Sequence, residues 1–282
     1  MTSDFSQSSP VVYADGEDPE MNRAMERARQ TFRFFWREMA WERRRIIPGL
    51  DVACVKFAFA DPPGEPTGGK PSVEQMWVNE IDFDGLQVSG TLINEPNWLV
   101  SVKEGDHVEM PLGRVNDWMY AIEGRVYGAY TVNLLRSRMG RSERAQHDSA
   151  WGLDFGDPNQ IQLIPESWLG KKPAGLLGRW FGSGASEPQD PEELAAREHP
   201  MALNMTPSLE EHLKQDSSSV SAADDKGLTL LHQLAMAGAA QGVALLLRYG
   251  ADPNAKTKRG LTAAQLAQTL GWENVLAVLR AN

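Results

Sequence analysis

Apolar residues recur at spacings of three and four from Met21 through Met25, Ala28, Phe32 and Phe35 to Met39, the period of a helix that buries one stripe. Its start is well marked. Asp18 suits an N-cap, Pro19 the first helical position and Glu20 the positive end of the dipole. Phe34 and Trp41, seven apart, form a second stripe, which predicts a helix covered on two sides or presented to an interface. From Asp51 the period shortens to two. Val55, Phe57 and Phe59 share one face of a strand, Met76, Val78 and Ile81 begin another, and Asp84-Gly85 is a hairpin signal leading into 86–93. Strands at 107–110, 115–122 and 125–130 follow, separated by glycine-containing turns, and 131–139 reads as a helix that closes the set. Local hairpins of this kind build a mainly antiparallel sheet.

The C-terminal part returns to helical spacing and repeats itself. Gly227-Leu228-Thr229 recurs as Gly260-Leu261-Thr262, and Gly238 as Gly271, an offset of 33 each time. Thr229 can tie the start of a first helix, with His232 in reach on the same face. Leu231, Leu234 and Ala235 form that helix's stripe, and Gly238 stops it. Val243, Leu245, Leu246 and Leu247 supply a second helix, ended by Gly250 in a left-handed conformation. Together with Asp225-Lys226 ahead of the first helix and Gly250-Ala251-Asp252-Pro253-Asn254-Ala255 after the second, this period resembles the ankyrin repeat. Leu230 stands where that family usually has proline, and Ala263, Ala264 and Gln265 replace proline, leucine and histidine in the second copy, which suits a terminal, capping unit. Leu209 and Leu213, four apart, look like part of a third unit. So short a stack is expected to lean on the N-terminal domain. The resemblance implies recognition of a partner protein.

The sheet region also resembles a known family, the YegJ-like domain (domain of unknown function 2314) found in bacterial proteins. The residues that carry it are Val55-Lys56-Phe57, Glu74-Gln75-Met76-Trp77-Val78, Gly90-Thr91-Leu92-Ile93-Asn94, Lys103-Glu104-Gly105-Asp106, Asn116-Asp117-Trp118-Met119-Tyr120 and Tyr127-Gly128-Ala129-Tyr130-Thr131. This resemblance spans about residues 20 to 165 and brings no settled activity with it.

Length and charge refine the picture. A chain of 282 residues fits two domains. A single cysteine, Cys54, excludes an intramolecular disulfide and favours a reducing compartment. The opening residues lack the order of a signal peptide, and no apolar run is long enough to span a bilayer, so a soluble, cytoplasmic protein is expected. The net charge of −10 is uneven: residues 1–20 carry −5, 186–225 carry −8, and the stretch from Lys226 onward carries +4. Acidic segments of this kind read as solvated and do not invite nucleic acid. A glycine-, proline- and serine-rich run from Lys171 to Asp190 marks a boundary, with Trp180 and Phe181 expected to dock on one of the domains.

Candidate chemistry is thin. Gly64 to Lys70 approaches a phosphate-binding loop, but Pro71 stands where a hydroxyl must reach magnesium, so a surface loop is the better reading. Arg43-Arg44-Arg45 complements a helix end. Cys54 lies within an apolar strand, and His147-Asp148-Ser149, adjacent in sequence, cannot converge as a triad and reads as a solvated loop. Asp117, beside Trp118, reads as a structural acceptor. The five histidines are scattered, so no metal or other cofactor is expected.

The expected architecture is α+β: an N-terminal helix packed on a mainly antiparallel sheet, plus a C-terminal all-α ankyrin-repeat stack. Its parts are a disordered acidic tail (1–18), the YegJ-like domain (19–170), a linker (171–205) and the repeats (206–282). The expected function is non-enzymatic binding of a protein partner, with neither nucleic acid nor membrane as target. Contacts are expected at the loop tips Asp224, Asp225, Lys226, Lys256, Thr257, Lys258 and Arg259, which are exposed and independently variable in a stack. Its most specific form is a bacterial immunity protein that neutralises a cognate toxin, a basic nuclease for instance. The alternatives are a cytoplasmic adaptor or regulator, or a small-ligand sensor or enzyme on the sheet domain. A homodimer also remains open.

Overall fold

The computed structural model describes residues 18–62, 73–169 and 189–281. The acidic tail up to residue 17, the glycine-rich run from Gly64 to Pro71, and Trp180 with Phe181 lie outside the described residues. The chain divides into two compact units, one made of residues up to Thr31 with Gly49–Gln162, the other of Phe32–Pro48 with the residues from Leu163 on. Helix α1 (Pro19–Glu42) therefore contributes residues to both.

In the first unit, β1 (Val52–Phe59), β2 (Glu74–Phe83), β3 (Gln87–Leu92), β4 (His107–Pro111), β5 (Val115–Ile122) and β6 (Arg125–Gly128) form one sheet in the order β4-β3-β2-β1-β5-β6. Every pairing is antiparallel, as the hairpin spacing requires. Asp18 caps α1 by accepting from the N–H groups of Glu20 and Met21, and Arg138 clamps Asp18 and Glu20. Trp118 on β5 donates its indole N–H to the Ala28 carbonyl at 2.8 Å, seating α1 on one face of the sheet. On the other face Cys54, Trp77, Met119, Ala121 and Val126 pack with Val132 and Phe155. Val132 belongs to α2 (Tyr130–Arg138), and Phe155 follows α3 (Arg141–Trp151). Both faces of the central strands are thus covered, so Cys54 and Lys56 are buried along with Val55 and Phe57.

The second unit holds the second part of α1, then α4 (Pro191–Ala195), α5 (Pro200–Gln215), α6 (Leu230–Met236), α7 (Ala240–Arg248), α8 (Ala263–Leu270) and α9 (Glu273–Arg280). Helix α5 begins inside the span expected as linker and ends inside the expected repeats. First helices α6 and α8 pack together, as do second helices α7 and α9, and α5 extends the second-helix layer by packing on α7. The repeat is visible in its caps. Thr229 and His232 form a capping box at the start of α6, and Thr262 and Gln265 form one at the start of α8. Histidine and glutamine both reach back to the threonine N–H, at 3.1 and 2.9 Å. His232 also meets the Ala255 carbonyl at 2.9 Å, a contact made by an inner repeat toward the loop that leads to the next.

The stack leans on α1. Arg33 donates to the Gly271 carbonyl at 2.8 Å and to Glu192 at 2.7 Å, Arg37 to the Arg197 carbonyl at 3.0 Å, and Arg44 to the Gln233 side chain at 2.8 Å. Phe34 packs on Trp272, and Trp41 stacks on His199. The second stripe of α1, Phe34 and Trp41, is therefore buried by the C-terminal part of the chain.

Candidate partner-binding surface

Two hairpin tips precede the first helices, and they share one design. In the first, the Asp224 N–H donates to the Leu228 carbonyl at 3.1 Å and the Gly227 N–H to the Asp224 carbonyl at 2.9 Å. In the second, the Thr257 N–H donates to the Leu261 carbonyl at 2.9 Å and the Gly260 N–H to the Thr257 carbonyl at 2.8 Å. Asp224 and Thr257 occupy equivalent places. The Asp224 carboxylate accepts from the Leu228 N–H at 2.8 Å, and the Thr257 hydroxyl accepts from the Leu261 N–H at 3.3 Å. The tips are joined main chain to main chain, the Lys258 N–H donating to the Lys226 carbonyl at 2.9 Å. A Cβ on Gly227 would stand 2.9 Å from the Lys258 nitrogen, so this approach needs glycine.

Of the seven tip residues expected to contact a partner, Asp225, Lys256, Lys258 and Arg259 are exposed and Lys226 is half-buried. Asp224 is exposed, but its carboxylate is occupied by the turn. Thr257 is a correction. It is buried, because its hydroxyl braces the turn that presents its neighbours, so it supports the tip without facing outward. Burial, then the positive charges of Arg43 and Arg259, hold Lys226 below the ordinary lysine range.

The sheet unit concentrates its buried polar groups around Asp117, which is fully buried. Its carboxylate accepts from the N–H groups of Trp118, Tyr130 and Thr131 at 2.9, 2.9 and 2.8 Å and from the Thr131 hydroxyl. It thereby holds the first turn of α2. The Lys56 ammonium donates to the Thr131 hydroxyl at 2.8 Å and sits 4.5 Å from the Trp77 ring, and burial depresses its pKa against the pull of Asp117. Burial pushes the Cys54 thiol well up, which makes it inert. Glu74 is another buried acceptor, taking the N–H groups of Asn97, Trp98 and Leu99 at 2.9, 3.0 and 3.0 Å. Burial works to raise its pKa, but those amides outweigh it. These carboxylates hold backbone in place.

His147-Asp148-Ser149 is not a solvated loop. It lies in α3, where the Asp148 carboxylate accepts from Nε and Nη2 of the buried Arg136 guanidinium at 2.7 and 2.6 Å. Among the described residues, no group of His, Cys, Asp or Glu side chains stands where it could hold a metal, and no helix is long and apolar enough to cross a membrane.

Sequence reasoning missed the arginines and the tryptophan that seat the stack on α1. Arg33 and Arg37, one turn apart on a helix otherwise rich in phenylalanine and tryptophan, were the available signal, since buried arginines need carbonyl or carboxylate partners.

Comparison with known proteins agrees with this geometry. The family described as an uncharacterized protein conserved in bacteria (DUF2314) matches residues 18–155, and the ankyrin repeat family matches residues 213–267. A Neisseria meningitidis serogroup B protein named as an ankyrin repeat protein is 41% identical over 271 residues, which cover 96% of this chain and 97% of that one. This chain belongs to the family of ankyrin repeat proteins that carry a DUF2314 domain. The Escherichia coli K12 protein YegJ is 24% identical over 135 residues, covering 48% of this chain and 79% of YegJ. For the ankyrin repeat protein as a whole, the repeats support a protein-interaction module, and proteins of this repeat family are typically non-enzymatic.

Proposed function

We propose that this ankyrin repeat protein binds a partner protein through the edge formed by its two hairpin tips, with Asp225, Lys226, Lys256, Lys258 and Arg259 as contacts and Asp224 and Thr257 as the braces behind them. The observation that carries this is the 2.9 Å bond from the Lys258 N–H to the Lys226 carbonyl, which makes two separate turns into one fixed surface. A surface already ordered loses little entropy on binding, so its side chains can contribute more fully to affinity. The narrower form of the reading is a cytoplasmic immunity protein that captures and neutralises a toxin. Its support is the pairing of the repeats with strongly acidic stretches elsewhere in the chain, which speed encounter with a basic enzyme.

The test is affinity capture from the native bacterium with the full chain, followed by titration of the recovered partner against wild type and the triple variant D225A/K258A/R259A. The reading expects the variant to bind at least about ten-fold more weakly. Equal affinity would remove the tip edge from the interface. Co-expression that fails to relieve toxicity of the captured protein would remove the immunity reading while leaving the binding one.

A further inference from the structure

Solenoid stacks offer partners the surfaces of their helices as well as their loops, and here the chain itself takes up part of that surface. Gly271, Trp272 and Gln233, all on or beside the first helices, are engaged by Arg33, Phe34, Arg37 and Arg44 of the α1 region. What the repeats leave to solvent on the hairpin side is the edge of the two tips. That edge is dominated by cations. Lys256, Lys258 and Arg259 are exposed and Lys226 is half-buried beside them. Arg43, just past the end of α1, lies close enough for its charge to act on Lys226, as does Arg259. A chain with a net charge of −10 thus places a local cluster of cations where two backbones are tied together.

We propose that the tip edge binds an acidic segment of the partner protein, with Lys258 and Arg259 as the principal contacts and Lys226 and Lys256 flanking them. This rests on the reading of the tips as a partner-binding edge and adds the chemistry of what they bind. A basic segment seated on this edge would meet like charge, which costs affinity. A phosphate backbone or an anionic bilayer is continuous negative charge and would have to pass the exposed Asp225 that stands among the cations. A peptide can space its carboxylates around that aspartate. Arginine forks and lysine ammonium groups both take carboxylates as charge-assisted hydrogen bonds.

The probe is a short labelled peptide of alternating glutamate and glycine, titrated with the full chain at low salt and followed by fluorescence anisotropy. Saturable binding is expected that weakens about ten-fold in K258E/R259E and weakens again with added salt. D225K, which replaces an exposed acid among the cations with a further cation, is expected to tighten it. Thermal melts of both variants should match wild type, because the altered side chains are exposed. No saturable binding, equal affinity for wild type and K258E/R259E, or stronger binding of a lysine–glycine peptide, a single-stranded oligonucleotide or anionic vesicles would overturn the proposal. If the captured partner is lost by K258E/R259E but is not displaced by the acidic peptide, the acidic assignment fails and the tip-edge reading stands. If capture is indifferent to that variant, both fail.

Discussion

Phe34 meets Trp272 edge to face, with ring centroids 6.1 Å apart and planes at 84°. One ring comes from α1 and the other from the start of the last helix, and Trp272 also donates its indole N–H to the Met236 carbonyl at 2.9 Å. A single side chain therefore fastens together the first helix of one repeat, the second helix of the next and the helix that supports both. Trp272→Ala should destabilise the C-terminal unit by about 3–5 kcal/mol. A double-mutant cycle with Phe34→Ala should return a coupling of about 0.5–1.5 kcal/mol. Denaturant unfolding of the four proteins measures both; a coupling near zero would mean that the ring contact adds nothing beyond burial.

The pair Lys56 and Asp117 should respond unequally to removal. Asp117→Ala deletes the acceptor for three backbone N–H groups and leaves a buried ammonium without its nearest negative charge, at a cost of about 3–5 kcal/mol. Lys56→Met leaves Asp117 its amide partners and places a methionine against Trp77, and should cost less than half as much. Urea unfolding curves decide the order, and a larger loss for Lys56→Met would show that the ammonium, and not the amides, holds Asp117.

His199 predicts a dependence on acidity. Its Nδ1 accepts from the Met201 N–H at 3.0 Å, so its Nε2 carries the proton and donates to Glu38 at 3.2 Å. Burial holds its pKa below the ordinary histidine value, against the opposing pull of Glu38. The unfolded chain then takes up the proton more readily than the folded one. This site's contribution is complete above about pH 6.5 and is lost as the pH falls through that value toward the lower folded one. Stability measured between about pH 7.5 and 5.5 should fall in wild type and fall less in His199→Asn, which keeps a cap acceptor but does not titrate. Parallel slopes would exclude the histidine as the cause.

Gly238 and Gly250 should differ although both are left-handed, at φ +70° and +87°. A methyl on Gly250 would enter open space, whereas one on Gly238 would stand 2.7 Å from the Trp272 ring. Gly250→Ala should cost about 1–2 kcal/mol from backbone strain alone. Gly238→Ala should exceed that by about 1–3 kcal/mol from overpacking. Melting temperatures of the two variants give the comparison, and equal shifts would mean that the tryptophan moves aside without penalty.

Much of the architecture was legible because it rests on local rules. Strand β5 runs over the residues that alternation and the flanking turns mark out, and α2 begins one residue before its sequence reading. The capping boxes were readable at Thr229 and His232 because the partners sit three residues apart. What could not be read depends on contacts distant in sequence. Helix α3 is poor in apolar residues and is held by Asp148 on Arg136, a pairing that no periodicity encodes. Sheet order follows from how β1 is inserted between β2 and β5, and hairpin signals do not say which connections pass across the sheet. The second stripe of α1 announced that something covers it, but Phe34 alone cannot name Trp272. Within the candidate site, exposure of Lys258 and Arg259 followed from their place at a turn. The inward brace of Thr257 is a local contact, four residues on, but a turn position does not by itself tell which of its side chains faces inward.

The main-chain link between Lys226 and Lys258 has a consequence for how such an edge can diversify. Lengthening either turn by one residue would pull carbonyl and N–H out of register and separate the two, whereas exchanging the side chains at Asp225, Lys256, Lys258 or Arg259 leaves the link untouched. Retuning toward a new target should therefore proceed by altering lettering on a plate of constant size, not by reshaping the plate.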